Sequence, residues 1–381
     1  MSMPLINCYS ALSVPAWWAD MNILAGNLAS FPRSVWLNGM RPKDPHQLDK
    51  LLQRRPNSTQ NAFKFWESVF FHYSHCGNGY AWISRDVNLQ PLSLRMMLPE
   101  DVTPYVIIPS DGSDPVQVYV YRPTKTVLLG DDVIHFQGLS YDGIAGLDPV
   151  QVHEQTLSKA LLIDRYQARY LRRGTVISGT IETQKKLDTD QRAQIHSEVQ
   201  QNFAGPDGVQ DVMILSDGAT LKNSTVAPQA SQLMEQAAHV TKQISQITGV
   251  PPEMKFEKAE AKNNNNNAEQ AGENVVRYTF RPRIEMIEAE LTRKLLSEAD
   301  QDAGYGVHLD TDALTRGDAA AMIANATGVV SAGIITRNEG RSMIGFPPDA
   351  SPDSNTLKAL GDTSPAPRPG MPKPAAAQGQ T

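Results

Sequence analysis

Cysteine is almost missing from this 381-residue chain, with Cys8 and Cys76 the only two. Two thiols cannot build a disulfide framework or a four-cysteine zinc site, and they fit a reducing compartment. Long apolar runs are missing as well, since none approaches the ~20 residues of a membrane span. The opening Met1-Ser2-Met3-Pro4-Leu5 has neither the basic patch nor the apolar core of a secretory signal. Positive charge is not in excess: 35 Lys+Arg stand against 41 Asp+Glu. Such a chain does not grip nucleic acid by bulk charge. No G-x-x-x-x-G-K-[ST] phosphate loop, G-x-S-x-G elbow or H-E-x-x-H pair occurs. An enzyme would need residues converging from distant parts of the chain, and nothing here favours that.

A hydrophobic content of 40% supports a real core and excludes a wholly disordered chain. Trp17, Met21, Leu24 and Leu28 recur at helical spacing before Pro32. Ala62, Trp66, Val69 and Tyr73 form a second helical face, which Gly77 ends. Short strands are predicted at Tyr80 to Ser84, Leu92 to Met97, Val116 to Tyr121 and Asp132 to Phe136. The fold class is therefore α+β, with a small and largely antiparallel sheet.

Asp148-Pro149 pairs an N-cap acceptor with a proline at the first helical position. The helix it starts is predicted to reach Arg173, about 37 Å away. One narrow apolar stripe (Leu157, Ala160, Leu161, Ala168, Leu171) leaves its other faces for water or polar partners. The insert 174–228 is poor in aromatics, with strands expected at Thr175 to Glu182 and Val212 to Leu215. A second long helix over 229–249 closes at Gly249-Val250-Pro251-Pro252. A third spans 268–297, kinked by Pro282 and supported by an i,i+4 Glu290–Lys294 pair. A strand at Gly306 to Leu309 and two short helices follow, the last opened by the capping box Thr336-Arg337-Asn338-Glu339. Eight of the 26 prolines lie between Pro347 and Pro374, so residues 347–381 are expected to form a disordered tail.

Four clusters are candidates for chemistry. His72, His75 and Cys76 offer three metal ligands, but a structural zinc site wants four, and packing at a helix end is the default. The glycines between Gly138 and Gly146 lead into a helix start and could cradle an anion there. Asp142 and Asp148 would repel it, which favours a tight structural turn. Arg165, Arg169, Arg172 and Arg173 form a basic helix end, suited to DNA phosphates or an acidic partner and equally to a solvated face. Asn263, Asn264, Asn265, Asn266 and Asn267 form an uninterrupted polar run beside Lys262.

Several of these segments, taken in chain order, resemble tailed-bacteriophage portal proteins of the long-tailed phages. They are Ala11 to Trp36, Leu51-Leu52-Gln53-Arg54-Arg55-Pro56-Asn57, Gly77-Asn78-Gly79-Tyr80-Ala81, Gly138 to Gly143 with Gly146, and Gly249-Val250-Pro251-Pro252. Ala268-Glu269-Gln270 with Arg277-Tyr278-Thr279 and Pro282, Asp310 to Asp318, and Thr336 to Glu339 complete the series. The resemblance implies a non-enzymatic ring, commonly of twelve subunits, at one capsid vertex of the virion, made in the host cytoplasm. Duplex DNA passes through such a ring during packaging by the terminase large subunit and again at ejection. The capsid protein or scaffold and a head-tail adaptor are the other implied partners, with no membrane, cofactor or metal.

On that resemblance the chain divides into a wing (1–148), a stem helix (149–173), a clip (174–228) and a second stem helix (229–249). A tunnel loop (250–267), a kinked long helix (268–297), a wing return (298–315), a helical crown (316–346) and the tail would follow. Between Glu253 and Glu273, five glutamates and three lysines leave a net charge of −2. A basic ring would release counterions and bind DNA tightly, each neutralised phosphate adding about 0.9 to the salt slope. Lys262 and the five asparagines are therefore expected either to touch passing DNA weakly from the tunnel loop or to form a low-complexity loop with no DNA role. The rival readings are a nucleic-acid-processing enzyme with a dispersed site and a prophage-derived scaffold that lost transport.

Overall fold

Helix α1 (Cys8–Ala11) and the largely apolar α2 (Pro15–Ser30) lead the chain into strand β1 (Arg33–Leu37). The computed structural model describes residues 6–173, 230–255, 274–311 and 319–357 apart from isolated positions, with short stretches at 180–182, 188–191, 193–194, 197 and 213–215. Helices α3 (Gln47–Gln53) and α4 (Ala62–Cys76) follow β1. The predicted stripes face the core: Trp17, Met21, Leu24 and Leu28 of α2 are buried with Ala62, Trp66 and Val69 of α4, beside Phe65 and Phe70, while Tyr73 is half-buried and Phe63 is exposed. The Trp66 indole N–H donates to the Leu52 carbonyl at 2.9 Å, which ties α3 to the same core.

Strands β2 (Asn78–Arg85), β3 (Pro91–Met97) and β7 (Val133–Gln137) form an antiparallel sheet in the order β3-β2-β7. A second antiparallel sheet runs β4 (Val102–Ile107), β5 (Val116–Tyr121) and β6 (Thr126–Leu129). Its inner residues Val102, Tyr119, Tyr121 and Leu128 join Tyr80, Met97 and Val133 in a smaller core. His135 is central there, meeting the Tyr119 hydroxyl at 3.2 Å and Asn78 Oδ1 at 3.0 Å. Burial pushes its imidazole down to about 3, so it is held neutral.

Helix α5 (Pro149–Val152), capped by Asp148, is followed at once by α6 (Glu154–Arg173). The sequence pattern predicts one continuous helix; His153, at ψ 25°, interrupts it after the first turn. Strands β8 (Thr180–Glu182) and β9 (Met213–Leu215) pair in parallel, within the two predicted strands of the insert. Helix α7 (Ala230–Thr248) then returns to the body. A π-helical turn (Val276–Phe280) opens α8 (Arg281–Leu295), followed by α9 (Glu298–Asp302) and β10 (Tyr305–Leu309). The π turn directly precedes Pro282, the residue expected to distort this helix.

β10 pairs with β1, from Arg33↔Leu309 to Leu37↔Tyr305. Strand β1 escapes a reading of local sequence, because its partner lies at the far end of the body. Arg33 is buried, with its guanidinium 5.2 Å from the Trp66 ring centroid and bonded to the carbonyls of Leu28 and Ala29 at the α2 C-terminus. Burial lowers it to about 9. The expected Glu290–Lys294 pair is not what forms. Glu290 pairs with Arg293 at 2.9 Å, and Lys294 turns inward to donate to the Gly130 carbonyl. Packing of α8 against β7 overrides the local pairing, because the Glu290 carboxylate also accepts from His135 N–H at 3.0 Å.

A second unit, 312–381, holds α10 (Ala319–Ser331) and α11 (Arg337–Met343). The predicted capping box is formed, with the Thr336 side chain on Glu339 N–H and the Glu339 carboxylate on Thr336 N–H. Order extends into the proline-rich stretch. Asn338 bonds both the carbonyl and the N–H of Asp349, and a short 3-10 turn follows at Pro352–Asn355. Among the described residues, no helix is long and apolar enough to cross a membrane.

Candidate functional site: a helix pair and the root of the asparagine segment

Helices α6 and α7 stand on the body by short footings. Leu157, Ala160 and Leu161 of α6 and Val240 and Ile244 of α7 are buried in the main core, whereas Arg165, Tyr166 and Met234 are exposed. Away from the body each helix has only a narrow apolar stripe to offer its partner. Arg165 projects as the start of the basic helix end. Arg169, Arg172 and Arg173 lie on the last turns of α6, and their side chains fall outside the described residues.

Lys262 and Asn263 to Asn267 also lie outside them, but both roots of their segment are described and converge on the C-terminus of α7. On the departing side, the Lys255 ammonium is 3.1 Å from Asp20 Oδ1 and bonds the Ser245 hydroxyl. The Thr248 hydroxyl donates to Asp20 Oδ2 at 2.7 Å. All four residues are buried or nearly so, and a charge pair out of water persists only when hydrogen bonds complete it, as they do here. On the returning side, the Thr279 hydroxyl donates to the Gly249 carbonyl at 2.6 Å, and Arg283 donates to the Thr248 carbonyl at 3.1 Å. Burial lowers the Arg283 guanidinium, against the opposing effect of Tyr73. Segment 256–273 is therefore anchored at both ends to one corner of the body. With Lys255 neutralised by Asp20, Glu257, Glu260, Glu269 and Glu273 outnumber Lys258 and Lys262 between the roots.

Sequence reasoning missed this anchor. Its one signal is an acid, Asp20, on the otherwise apolar stripe of Trp17, Met21 and Leu24.

The glycine-rich stretch before α5 is a structural turn. Asp142 Oδ1 accepts from the N–H groups of Ile144 and Ala145, and Ser140 bridges to Gly146. The turn lies backbone to backbone on the corner between α4 and β2. A Cβ on Gly77 would fall 2.0 Å from the Leu147 oxygen, and one on Gly146 would fall 2.1 Å from the Gly77 oxygen.

The structure joins His75 and Cys76 to Cys8 rather than to His72. Trp17 Nε1–H donates to His75 Nδ1 at 3.0 Å, so the ring proton sits on Nε2, which is 2.8 Å from the Cys8 carbonyl. Both nitrogens are thus committed, and neither has a lone pair free for a metal. His72, lowered by burial to about 4, lines a cavity together with Cys8, His75 and Cys76, with its Nδ1 buried and unpartnered.

An α+β body carrying a pair of long helices around an insert, with a segment rooted between the second helix and a third that opens on a π turn, is a portal-type fold. The family model described as phage portal protein matches residues 15–345, and the chain belongs to that family. It is 24% identical over 351 residues to the portal protein of Enterobacteria phage HK97, covering 90% of this chain and 81% of that one. Among solved structures it resembles a chain in the neck of an empty gene transfer agent particle computed with C6 symmetry. That match has a TM-score of 0.62 at 19% identity and covers 91% of this chain and 96% of the other. It also resembles a chain in the neck of the native particle computed with C12 symmetry, with a TM-score of 0.58 at 18% identity, covering 89% and 92%. The protein is a structural component of the virion, at the capsid portal vertex.

Proposed function

We propose that this protein forms a ring of twelve subunits through which duplex DNA is packaged and later ejected. The anchoring of both ends of segment 256–273 to the α7 C-terminus is the observation that carries this reading. A segment that must meet moving DNA needs fixed roots, and its acidic balance avoids the tight binding that counterion release would give. The six- and twelve-fold symmetries of the gene transfer agent necks support the ring, and a neighbouring copy would cover Tyr166 and Met234.

In this reading α6 and α7 are the stem, and insert 174–228 is the clip that meets the terminase large subunit and then the head-tail adaptor. Body 1–148, with 298–315, is the wing beside the capsid protein, and 316–346 is the crown. Lys262 and Asn263 to Asn267 touch passing DNA through exchangeable hydrogen bonds, while the basic end at Arg165 to Arg173 meets an acidic partner or phosphates. The test is negative-stain imaging of purified protein followed by packaging complementation with all five asparagines changed to lysine. Rings with a central hole and stalled packaging are expected. A permanent monomer would remove the conduit, and unchanged packaging would remove the DNA-contacting role of the asparagines.

A further inference from the structure

The two cysteines, 68 positions apart in sequence, meet at the mouth of a cavity of about 430 Å³. Cys76 Sγ donates to Cys8 Sγ at 3.9 Å, and Cys8 Sγ donates to Asp148 Oδ2 at 3.6 Å. The other Asp148 oxygen accepts from Val150 N–H at 2.8 Å, which fixes the carboxylate in place. Leu98, Glu100 and Gln151 line the same cavity, so a small reagent has access to the pair. With both of its nitrogens engaged, His75 offers the two sulfurs no third ligand.

From this geometry we infer that Cys8 and Cys76 are a redox pair that closes to an intramolecular disulfide with a low-molecular-weight disulfide as oxidant. Cys8 is the attacking sulfur. Its thiol proton passes to water, and the hydrogen bond from Cys76 draws the Cys8 thiol below its ordinary value, against burial and the Asp148 charge. Cys76 is pushed up, chiefly by its hydrogen bond to Cys8 and then by burial, which suits the resolving thiol. The Cys8 thiolate attacks the small disulfide and expels one thiolate. The Cys76 sulfur then attacks the Cys8 sulfur and expels the second, and the two protein protons end on the two released thiols. Two protein thiols are oxidised, and one small disulfide is reduced to two thiols. The sulfurs need to close from 3.9 Å to about 2.05 Å.

The new bond would clamp α1 to the last residue of α4. Cytoplasmic thiol pools keep the pair reduced during assembly, whereas a released particle meets an oxidising medium. The clamp would therefore set on the finished virion.

The experiment exposes the reduced full-length protein to oxidised glutathione and follows intact mass and peptide maps. Wild type is expected to lose two hydrogen masses and yield a Cys8–Cys76 cross-linked peptide, reversed by dithiothreitol, with the melting temperature raised by several degrees. Cys76→Ser is expected to stop at a stable glutathione adduct on Cys8. Cys8→Ser is expected to react at Cys76 at least ~10-fold more slowly, because burial and the Asp148 and Glu100 charges still raise that thiol once Cys8 is gone. Independent adducts on both cysteines of wild type, or cross-links only between chains, would overturn the pairing. Equal reaction rates for the two single variants would overturn the assignment of Cys8 as the attacking sulfur. If a variant fails to fold, the wild-type peptide map alone decides the pairing.

Discussion

The Lys255 ammonium lies 3.1 Å from the Asp20 carboxylate, joining the end of the α7 corner to the middle of α2 across 235 positions of sequence. Both side chains are out of water, at 3% and 0% exposure. Removing one partner strands the other. Lys255→Met is expected to cost about 3–5 kcal/mol. Adding Asp20→Asn should restore most of that loss, because the amide keeps the Thr248 hydrogen bond without a buried charge. Urea unfolding of the single and double variants measures both effects, and a double variant no better than the single would contradict the account.

Gly77 leaves no room for a side chain. It combines φ +72° with the approach of the Leu147 oxygen, so Gly77→Ala meets strain and overlap together. We expect a loss of at least ~3 kcal/mol. Gly26, inside α2 with nothing near its missing Cβ, gives the opposite sign, and Gly26→Ala should stabilise by about 0.5–1 kcal/mol. Thermal melts of the two variants should move in opposite directions.

Stability should fall in acid because of His135. Its folded value of about 3 lies below the usual 6.5. The folded state therefore binds fewer protons than the unfolded chain between those values. Its contribution is complete above about pH 6.5 and declines at about 1.4 kcal/mol per pH unit below it. Urea midpoints taken from pH 7.5 downward should show this slope, steepened further by His72, and His135→Gln should flatten it. A wild-type slope that His135→Gln leaves unchanged would exclude His135 as its source.

Segment 256–273 should bind duplex DNA weakly and with a shallow salt dependence. Changing Asn263 to Asn267 to lysine is expected to steepen the slope of log K against log salt by up to about 0.9 for each phosphate the new lysines neutralise. Fluorescence anisotropy of a labelled linear duplex across a salt series reads this, and an unchanged slope would count against exposure of the asparagines to the channel.

Local chemistry announced much of this fold. The Asp148 cap, left-handed Gly77 and the Thr336–Glu339 box each sit where a helix begins or ends, because their hydrogen bonds close within a few residues. Long-range chemistry was not announced. Lys294 turned away from Glu290, Asp20 found Lys255, and Cys8 found Cys76 only after packing brought distant segments together. The candidate site is of this second kind. Its asparagine run was visible as composition, while the anchors that hold its ends were visible only as a misplaced acid on an apolar helix.

The pairing of β1 with β10 leaves the nascent protein waiting for its own far end. Strand Arg33–Leu37 emerges early from the ribosome, yet its only strand partner among the described residues arrives with Tyr305–Leu309. Until then Val35, fully buried in the finished body, has no cover from that side. Polypeptides released before residue 305 would carry this bare edge into the host cell and be cleared or aggregate. Subunits that complete the pairing escape both fates, so translation itself screens out truncated copies before assembly begins.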